Sequence, residues 1–169
     1  MLNKPEKGEY PGYFDIAQVP DGDVLELLGS EMEKTAAFLE SVAPELETHR
    51  YAEGKWTVRE VVGHVIDVDR LFAYRALAFA RAERVALPGM DDKVWAAASN
   101  AAERSLAALI DEFRLARRGH IAMFEGFADD VWDVRGRTTE HEFTVRSMPY
   151  IMLAHEIHHR EILRDRYLR

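Results

Sequence analysis

The stretch His155-Glu156-Ile157-His158-His159 decides how the rest of the sequence is interpreted. Side chains four residues apart on an α-helix lie about 40° apart around the axis and one turn apart along it, so His155 and His159 point the same way. The stripe that they share continues in both directions through apolar residues, namely Met148, Ile151, Met152, Ile162 and Leu163. The pattern predicts a last helix, at about residues 147–167, that directs a histidine pair into the interior of the fold.

A second apolar pattern, at about residues 57–84, offers a third histidine. Thr57 followed three positions later by Glu60 has the form of a capping box and predicts the start of this helix. His64 lies near the centre of its apolar face, where it can meet the histidine pair of the last helix. Three imidazoles from two facing helices would leave coordination positions open for water or a substrate.

Charged residues lie beside His64 on the same helix face. Asp67 falls within about 60° of it and Arg75 within about 20°, and burying unpaired charge is costly. Asp67 could hold the free ring nitrogen of a histidine ligand and manage protons, or it could pair with Arg75. Arg75 could bind an anionic group of a substrate or cofactor. For both residues an ordinary buried salt bridge is an equal alternative.

Two further periodic patterns predict helices of comparable length. One, at about residues 22–43, opens at Asp23, a residue type typical of N-caps, and ends before Pro44. The other covers about residues 100–127, and His120 lies at the edge of its apolar stripe.

The remaining segments show little helical period. Residues 92–98 form at most a short helical turn within a loop, and residues 129–145 read as irregular, with Gly136 as a turn and a brief strand-like alternation at 142–145. Residues 1–20 predict an extended arm packed on the surface, with aromatic side chains at Tyr10, Tyr13 and Phe14. Four amphipathic helices with one long connection before the last predict an all-α four-helix bundle.

Composition sets limits on the class of protein. A chain of 169 residues with 47% hydrophobic residues fits a single domain, residues 1–169. The absence of cysteine excludes disulfides and thiolate ligands, and we expect a cytoplasmic protein. Charged and turn-forming residues, Lys4 to Gly8, stand where a secretory signal would need an apolar run, so we expect no signal peptide. No stretch approaches the ~18 apolar residues of a membrane span. A net charge of −8 without basic clusters argues against nucleic acid as a partner.

The five-residue stretch also fits the HExxH pattern of zinc proteases, in which the glutamate is the general base. Those enzymes take a third ligand downstream of the helix, whereas residues 160–169 contain no histidine. The pattern is short enough to arise by chance, so we do not predict a protease. Glu156 could still act as a base in another reaction. His158, about 60° from His155 on the side away from His159, is predicted to be a surface or supporting residue.

The chain resembles the DinB/YfiT-like superfamily from about residue 23 to residue 167. The motifs that carry this resemblance are Lys55-Trp56-Thr57, Gly63-His64-Val65-Ile66-Asp67-Val68-Asp69-Arg70-Leu71-Phe72-Ala73-Tyr74-Arg75, Leu87-Pro88-Gly89 and His155-Glu156-Ile157-His158-His159-Arg160. The resemblance implies a four-helix bundle that binds a divalent metal, usually zinc or nickel, at His64, His155 and His159. It also implies a homodimer. Where many relatives have glycine before the last-helix histidine, this chain has Ala154.

Three functional hypotheses follow. Some members of that superfamily transfer bacillithiol, mycothiol or glutathione, and one branch isomerises maleylpyruvate with a thiol, so the first hypothesis is a thiol S-transferase acting on small electrophiles. The second is a metal-dependent hydrolase that uses water. The third is a non-catalytic metal-binding or stress protein in which the ion joins helices. Three imidazoles suit several transition metals, so the sequence leaves the metal open, with zinc expected first and nickel next.

Overall fold

Helices dominate the computed structural model, which describes residues 2–12 and 15–168. In that part of the chain there are five α-helices: α1 (Val24–Glu40), α2 (Val58–Ala80), α3 (Asp92–Ala98), α4 (Leu106–Glu125) and α5 (Ser147–Ile162). One π-helical turn, Leu163–Tyr167, extends α5. The long helices α1, α2, α4 and α5 form the predicted all-α four-helix bundle, which is confirmed, and α3 is the short turn anticipated at residues 92–98.

Side chains that accept hydrogen bonds from backbone N–H groups fix the starts of the helices. Asp23 accepts a hydrogen bond from the N–H of Leu25 at the start of α1, and Ser105 accepts one from Ala108 at the start of α4. Thr57 and Glu60 make the reciprocal capping box predicted for α2. These bonds satisfy donors that the first helical turn leaves without an intrahelical partner.

The end of α2 and the start of α4 differ from prediction because residues beside them adopt non-helical backbone geometry. α2 ends at Ala80 instead of about residue 84, and Ala82 follows with φ 62°. α4 begins at Leu106 instead of about residue 100. Asn100, with φ 57°, precedes a separate 3₁₀ turn at Ala101–Glu103, and the extended backbone of Arg104 and Ser105 (ψ 149° and 147°) separates that turn from α4. A residue outside the right-handed helical region cannot continue an α-helix, and the residue type of Ala82 gives no sign of its left-handed geometry.

The irregular segment before α5 contains a two-stranded antiparallel ribbon of β1 (Arg135–Arg137) and β2 (Glu142–Thr144). The prediction that Gly136 forms a turn was wrong, because Gly136 lies within β1 opposite Phe143. A Cβ atom at this position would lie 2.0 Å from the ring of Phe79. Glycine is therefore needed for the close approach of the ribbon to α2, and the chain reverses after β1, at residues 139–141.

The N-terminal arm packs more deeply than predicted. Ile16 and Val19 are 3% and 1% exposed and belong to the apolar core. The hydroxyl of Tyr150 donates to the carbonyl of Leu2 at 2.7 Å, which ties the arm to α5. Tyr13 and Phe14, two of the aromatic residues noted in this arm, lie outside the described residues.

The arrangement of the bundle brings α2 and α5 side by side. α1 packs against α4 and α5, and α2 packs against the same two helices. The core has two apolar clusters, one around Phe72 and Ile151 and the other around Phe113. Buried charged residues lie between them, so a polar layer crosses the middle of the bundle; it contains Glu31, Asp69, Arg117 and Glu156. Among the described residues no helix is long and apolar enough to cross a membrane.

Candidate metal centre

Three histidines from α2 and α5 meet inside the bundle. His64, His155 and His159 each offer one ring nitrogen, and these nitrogens all lie within 4.8 Å of one another. The Nε2 atoms of His64 and His155 are 3.1 Å apart. In a tetrahedral zinc site with bonds of about 2.1 Å, ligand nitrogens lie roughly 3.4 Å apart. The spacing in this protein therefore fits a single metal ion, and the convergence predicted from two helical stripes is present.

The three imidazoles are held in the neutral form that a metal requires. Burial lowers the pKa of His64 to about 4 and that of His159 to about 3. The pKa of His155 also lies well below its usual value, first because of burial and then because of the neighbouring imidazoles. A neutral imidazole keeps one lone pair for a metal, so at neutral pH protons compete weakly for these nitrogens.

A cavity of about 520 Å³ adjoins the histidines. Its walls come from α2, α5, the β1–β2 ribbon, the loop before α3 and the N-terminal arm, so the irregular segments cover the site from one side. Trp56 lies against His64 with ring centroids 4.7 Å apart. Phe72 and Phe143 add further apolar wall. The cavity falls within the size range of small-molecule binding sites.

Arg75 is the predicted site residue that the structure places in this cavity wall together with the histidines. Its side chain is buried, at 5% exposure, and its Nη2 donates to the carbonyl of Pro88 at 3.0 Å. The guanidinium lies 5.1 Å from the ring centre of Phe72 and 5.8 Å from that of Phe143. These contacts hold a cation at a fixed place in the wall of the cavity.

Asp67 lies away from the histidines, on the side of α2 that faces α4. The charges that act on it are those of Arg70, Glu112 and Arg104, and burial raises its pKa. Within the described residues, Asp67 does not belong to the cavity wall. The expectation that Asp67 orients a histidine ligand or pairs with Arg75 does not fit this geometry, because Asp67 lies among Arg70, Glu112 and Arg104 whereas Arg75 lines the cavity.

Glu156 points to the opposite side of α5 from the cavity. Its Oε1 accepts a hydrogen bond from Thr35 at 2.6 Å, and its Oε2 accepts one from Arg117 at 2.6 Å. Arg117 is fully buried and also donates to both carboxylate oxygens of Asp69, at 2.7 and 2.8 Å. Glu156 therefore belongs to the polar layer of the bundle, and a role as general base in the cavity does not fit this position.

The two remaining histidines considered from the sequence lie in different surroundings. His158 is exposed and lines the cavity, with its ring centroid 5.2 Å from that of His159. His120 lies on α4 with its Nδ1 atom 3.6 Å from Asp69. His120 is therefore next to the polar layer, and His158 adjoins the three converging histidines.

Sequence reasoning missed Arg117, the residue at the centre of that layer. It lies four positions after Phe113 and seven before Phe124, so it falls on the apolar stripe of α4. A charged residue on a stripe that predicts burial was the available signal. Its partners Asp69 and Glu156 come from two other helices, and their pairing could not be found without the packing of α2, α4 and α5.

Comparison with known proteins places the chain in a family. The family model described as the DinB superfamily matches residues 28–163, and the chain belongs to that superfamily. No curated protein sequence matches it.

Solved structures share the fold at low sequence identity. YfiT from Bacillus subtilis, a probable metal-dependent hydrolase with an unusual four-helix bundle topology, aligns with a TM-score of 0.76 and 17% identity over 95% of this chain and 93% of its own. The mycothiol-dependent maleylpyruvate isomerase aligns with a TM-score of 0.68 and 13% identity over 85% of this chain and 61% of its own. A DinB-like protein from Bacillus subtilis aligns with a TM-score of 0.61 and 16% identity over 84% of this chain and 87% of its own.

Proposed function

We propose that this protein is a divalent-metal-dependent enzyme that joins a low-molecular-weight thiol to a small electrophile. The observation that carries the proposal is the meeting of three neutral imidazoles beside a cavity of about 520 Å³. In this proposal His64, His155 and His159 hold the ion, with zinc expected first and nickel next. A bound divalent metal would lower the pKa of a thiol or water next to it and would so provide a nucleophile at neutral pH.

The side chains around the cavity have separate tasks in this proposal. Trp56, Phe72 and Phe143 supply apolar surface that excludes water and receives the apolar part of an electrophile. Arg75 binds an anionic group, such as a carboxylate of the thiol cofactor, because its guanidinium is a fixed cation in the cavity wall. Neither Asp67 nor Glu156 is given a role in proton transfer.

The size of the cavity favours an enzyme over a metal ion that only joins helices. An ion with a purely structural role needs four protein ligands and no adjoining space, whereas three histidines beside a large cavity leave room for a reactant. The fold shared with a mycothiol-dependent isomerase supports a thiol as one of the reactants.

Hydrolysis is the second candidate, because the same three histidines would admit water in place of a thiol. YfiT, which shares the fold, is a probable metal-dependent hydrolase, and this likeness favours the second candidate. The two candidates differ in the nucleophile and share the proposed ligands, so one set of variants tests both.

The test compares the chelator-treated protein with protein reloaded with Zn²⁺ or Ni²⁺. Glutathione, bacillithiol and mycothiol are each assayed with a chlorinated aromatic or an epoxide, and an activated ester is assayed without thiol. We expect conjugation that requires metal, and we expect His64→Ala to lose both metal stoichiometry and activity. His49→Ala is the control, since His49 is exposed and, of the residues that the structure describes, is not one that lines the cavity. Ester cleavage without thiol would favour the hydrolase, and conjugation that survives chelation would contradict the proposal.

A further inference from the structure

The cavity beside the three histidines follows helix α2 for about three turns. Five residues of this helix line it, namely His64, Val68, Leu71, Phe72 and Arg75. Separations of three and four positions among them place all five on one helical stripe. At a rise of 1.5 Å per residue, the Cα atoms of His64 and Arg75 lie roughly 16 Å apart along the axis. One end of this stripe is therefore a histidine, and the other end is a guanidinium.

The wall between these two ends is apolar. Val68 and Phe72 are buried, and Leu71 beside them is half-buried. Phe143 of β2 faces Phe72 with ring centroids 6.0 Å apart, and Met90 of the loop before α3 also lines the cavity. These side chains stabilise a hydrocarbon by removing its surface from water, and they give a polar group no hydrogen-bond partner. The middle of the cavity thus favours an apolar body.

Arg75 places a positive charge at the far end of this wall. Among the described residues that line the cavity, Arg75 is the only one whose side chain is permanently cationic. Its Nη2 donates to the carbonyl of Pro88, and its guanidinium packs on the rings of Phe72 and Phe143. These contacts orient the guanidinium and carry no negative charge themselves. A carboxylate is the anion that its planar fork of donors matches best.

Three carboxylates also line the cavity, but on its exposed side. Asp15, Asp92 and Glu140 lie in the N-terminal arm, at the start of α3 and between β1 and β2, and all three are exposed. Water and salt screen exposed charges, whereas the charge of the buried Arg75 acts more strongly on a ligand. An anionic group is therefore attracted to Arg75 and repelled from the rim, which gives a ligand one orientation.

We propose that one reactant is an elongated amphiphile, with a carboxylate at Arg75, an apolar body along α2 and its reacting atom at the three histidines. The inference rests on the proposed function and adds to it the shape and length of a reactant. The carboxylate belongs either to the thiol or to the electrophile, and the two arms of the test below distinguish these sources.

The helix sets the length of this reactant. Because the guanidinium of Arg75 packs on Phe72, its level along α2 is roughly 12 to 16 Å from that of His64. A metal–sulfur bond of about 2.3 Å and a guanidinium–carboxylate contact of about 4 Å between carbons take up part of this distance. The reacting atom and the carboxylate should therefore be on the order of 8 Å apart. An extended chain of six to eight carbons has this span.

A homologous series of ligands measures this length. The thiol arm uses mercaptoacetate, 3-mercaptopropionate, 6-mercaptohexanoate and 8-mercaptooctanoate, and the electrophile arm uses the terminal epoxides of butanoate, hexanoate and octanoate. Each acid is compared with its neutral alcohol by calorimetry on the Zn²⁺-loaded protein, so that the ratio of the two affinities isolates the carboxylate. We expect this ratio to be close to one for the short members and roughly 10 to 100 for the long members.

Matched variants connect the ratio to Arg75. Arg75→Gln should lower the ratio of the long members to about one and leave the short members unchanged. Arg70→Gln is the control, because Arg70 is on the same helix, pairs with Glu112 and, in the described part of the chain, does not line the cavity. If Arg75→Gln fails to fold, Leu71→Trp fills the middle of the apolar wall and should weaken the long acids while sparing mercaptoacetate.

The outcomes distinguish this inference from the proposed function. A ratio that does not change with chain length, or that both arginine variants lower equally, refutes the elongated reactant and leaves the metal centre and conjugation in place. A length-dependent ratio that requires Arg75, in a protein that conjugates no thiol, refutes the proposed function and supports the elongated ligand. A length-dependent ratio in the thiol arm assigns the carboxylate to the thiol, and one in the epoxide arm assigns it to the electrophile.

Discussion

Replacing Arg117 by methionine should destabilise the fold more than replacing any exposed charged residue does. The size of this effect should depend on pH. Arg117 is 0% exposed and donates three hydrogen bonds to the carboxylates of Asp69 and Glu156. Methionine has a similar length and fills the space, but it leaves two buried carboxylates without a cation. Breaking a buried ion pair in this way costs about 3–5 kcal/mol.

Proton uptake limits the penalty. A carboxylate that is buried without a partner can bind a proton, at a cost of about 1.4 kcal/mol for each pH unit above its ordinary pKa. The ordinary pKa values are 3.8 for Asp69 and 4.5 for Glu156. Protonating both carboxylates therefore limits the loss of stability to ~8 kcal/mol at pH 7 and ~2 kcal/mol at pH 5. In the variant both pKa values are raised above those of the unfolded chain, so its stability falls as the pH rises. The loss relative to wild type should therefore be small at pH 5 and large at pH 7.

Urea denaturation followed by circular dichroism at both pH values measures this. The midpoint of Arg117→Met should fall on the order of 2 M at pH 7 and by much less at pH 5. Arg114→Met on the same helix is the control, because Arg114 pairs with Glu33 and Glu40, which are 48% and 51% exposed; it should have little effect. If Arg117→Met loses no more stability than Arg114→Met, or loses equally at both pH values, the reasoning is refuted.

Further predictions concern packing and pH. Gly63→Ala should destabilise the protein by about 1–3 kcal/mol, because the new Cβ would lie 2.6 Å from the Cβ of Ala101. Gly119→Ala, also helical, has open space around it and should stabilise by about 0.5–1 kcal/mol in the same thermal melts. The metal-free protein should lose stability as the pH falls from 6.5 toward 4, because the unfolded chain then binds protons at His64 and His159 while the folded pKa values remain about 4 and about 3. In a His64→Leu, His159→Leu double variant, the free energy of unfolding should fall less steeply over this pH range.

The convergence of the histidines could be predicted because it depends on properties that sequence records directly. Positions four apart on one helix share a face, and His64 lies on the apolar face of another long helix. Once four helices form one bundle, two buried faces have few places to meet. The structure brings His64 to within 3.1 Å of His155 for this reason.

The faces of the charged residues could not be predicted with the same success. Asp67 lies within about 60° of His64 around the axis of α2. At that angle its side chain could either line the cavity or point away from it, and the position of the neighbouring helix determines which of the two occurs. In this bundle α4 packs beside α2, so Asp67 faces Glu112 and Arg70. The angular position of a side chain was known, but the direction from which a neighbour would pack was not.

The glutamate of the HExxH pattern shows why a motif needs its surroundings. Glu156 follows His155 by one residue and therefore points about 100° away around the helix. In a zinc protease that direction faces the reacting water, whereas here it faces α1 and α4, where Thr35 and Arg117 occupy the two carboxylate oxygens. The same spacing places a carboxylate next to a metal ligand in both cases. What the carboxylate can do is decided by what packs against that side of the helix, and in this bundle both of its oxygens accept hydrogen bonds from side chains of the polar layer and of α1.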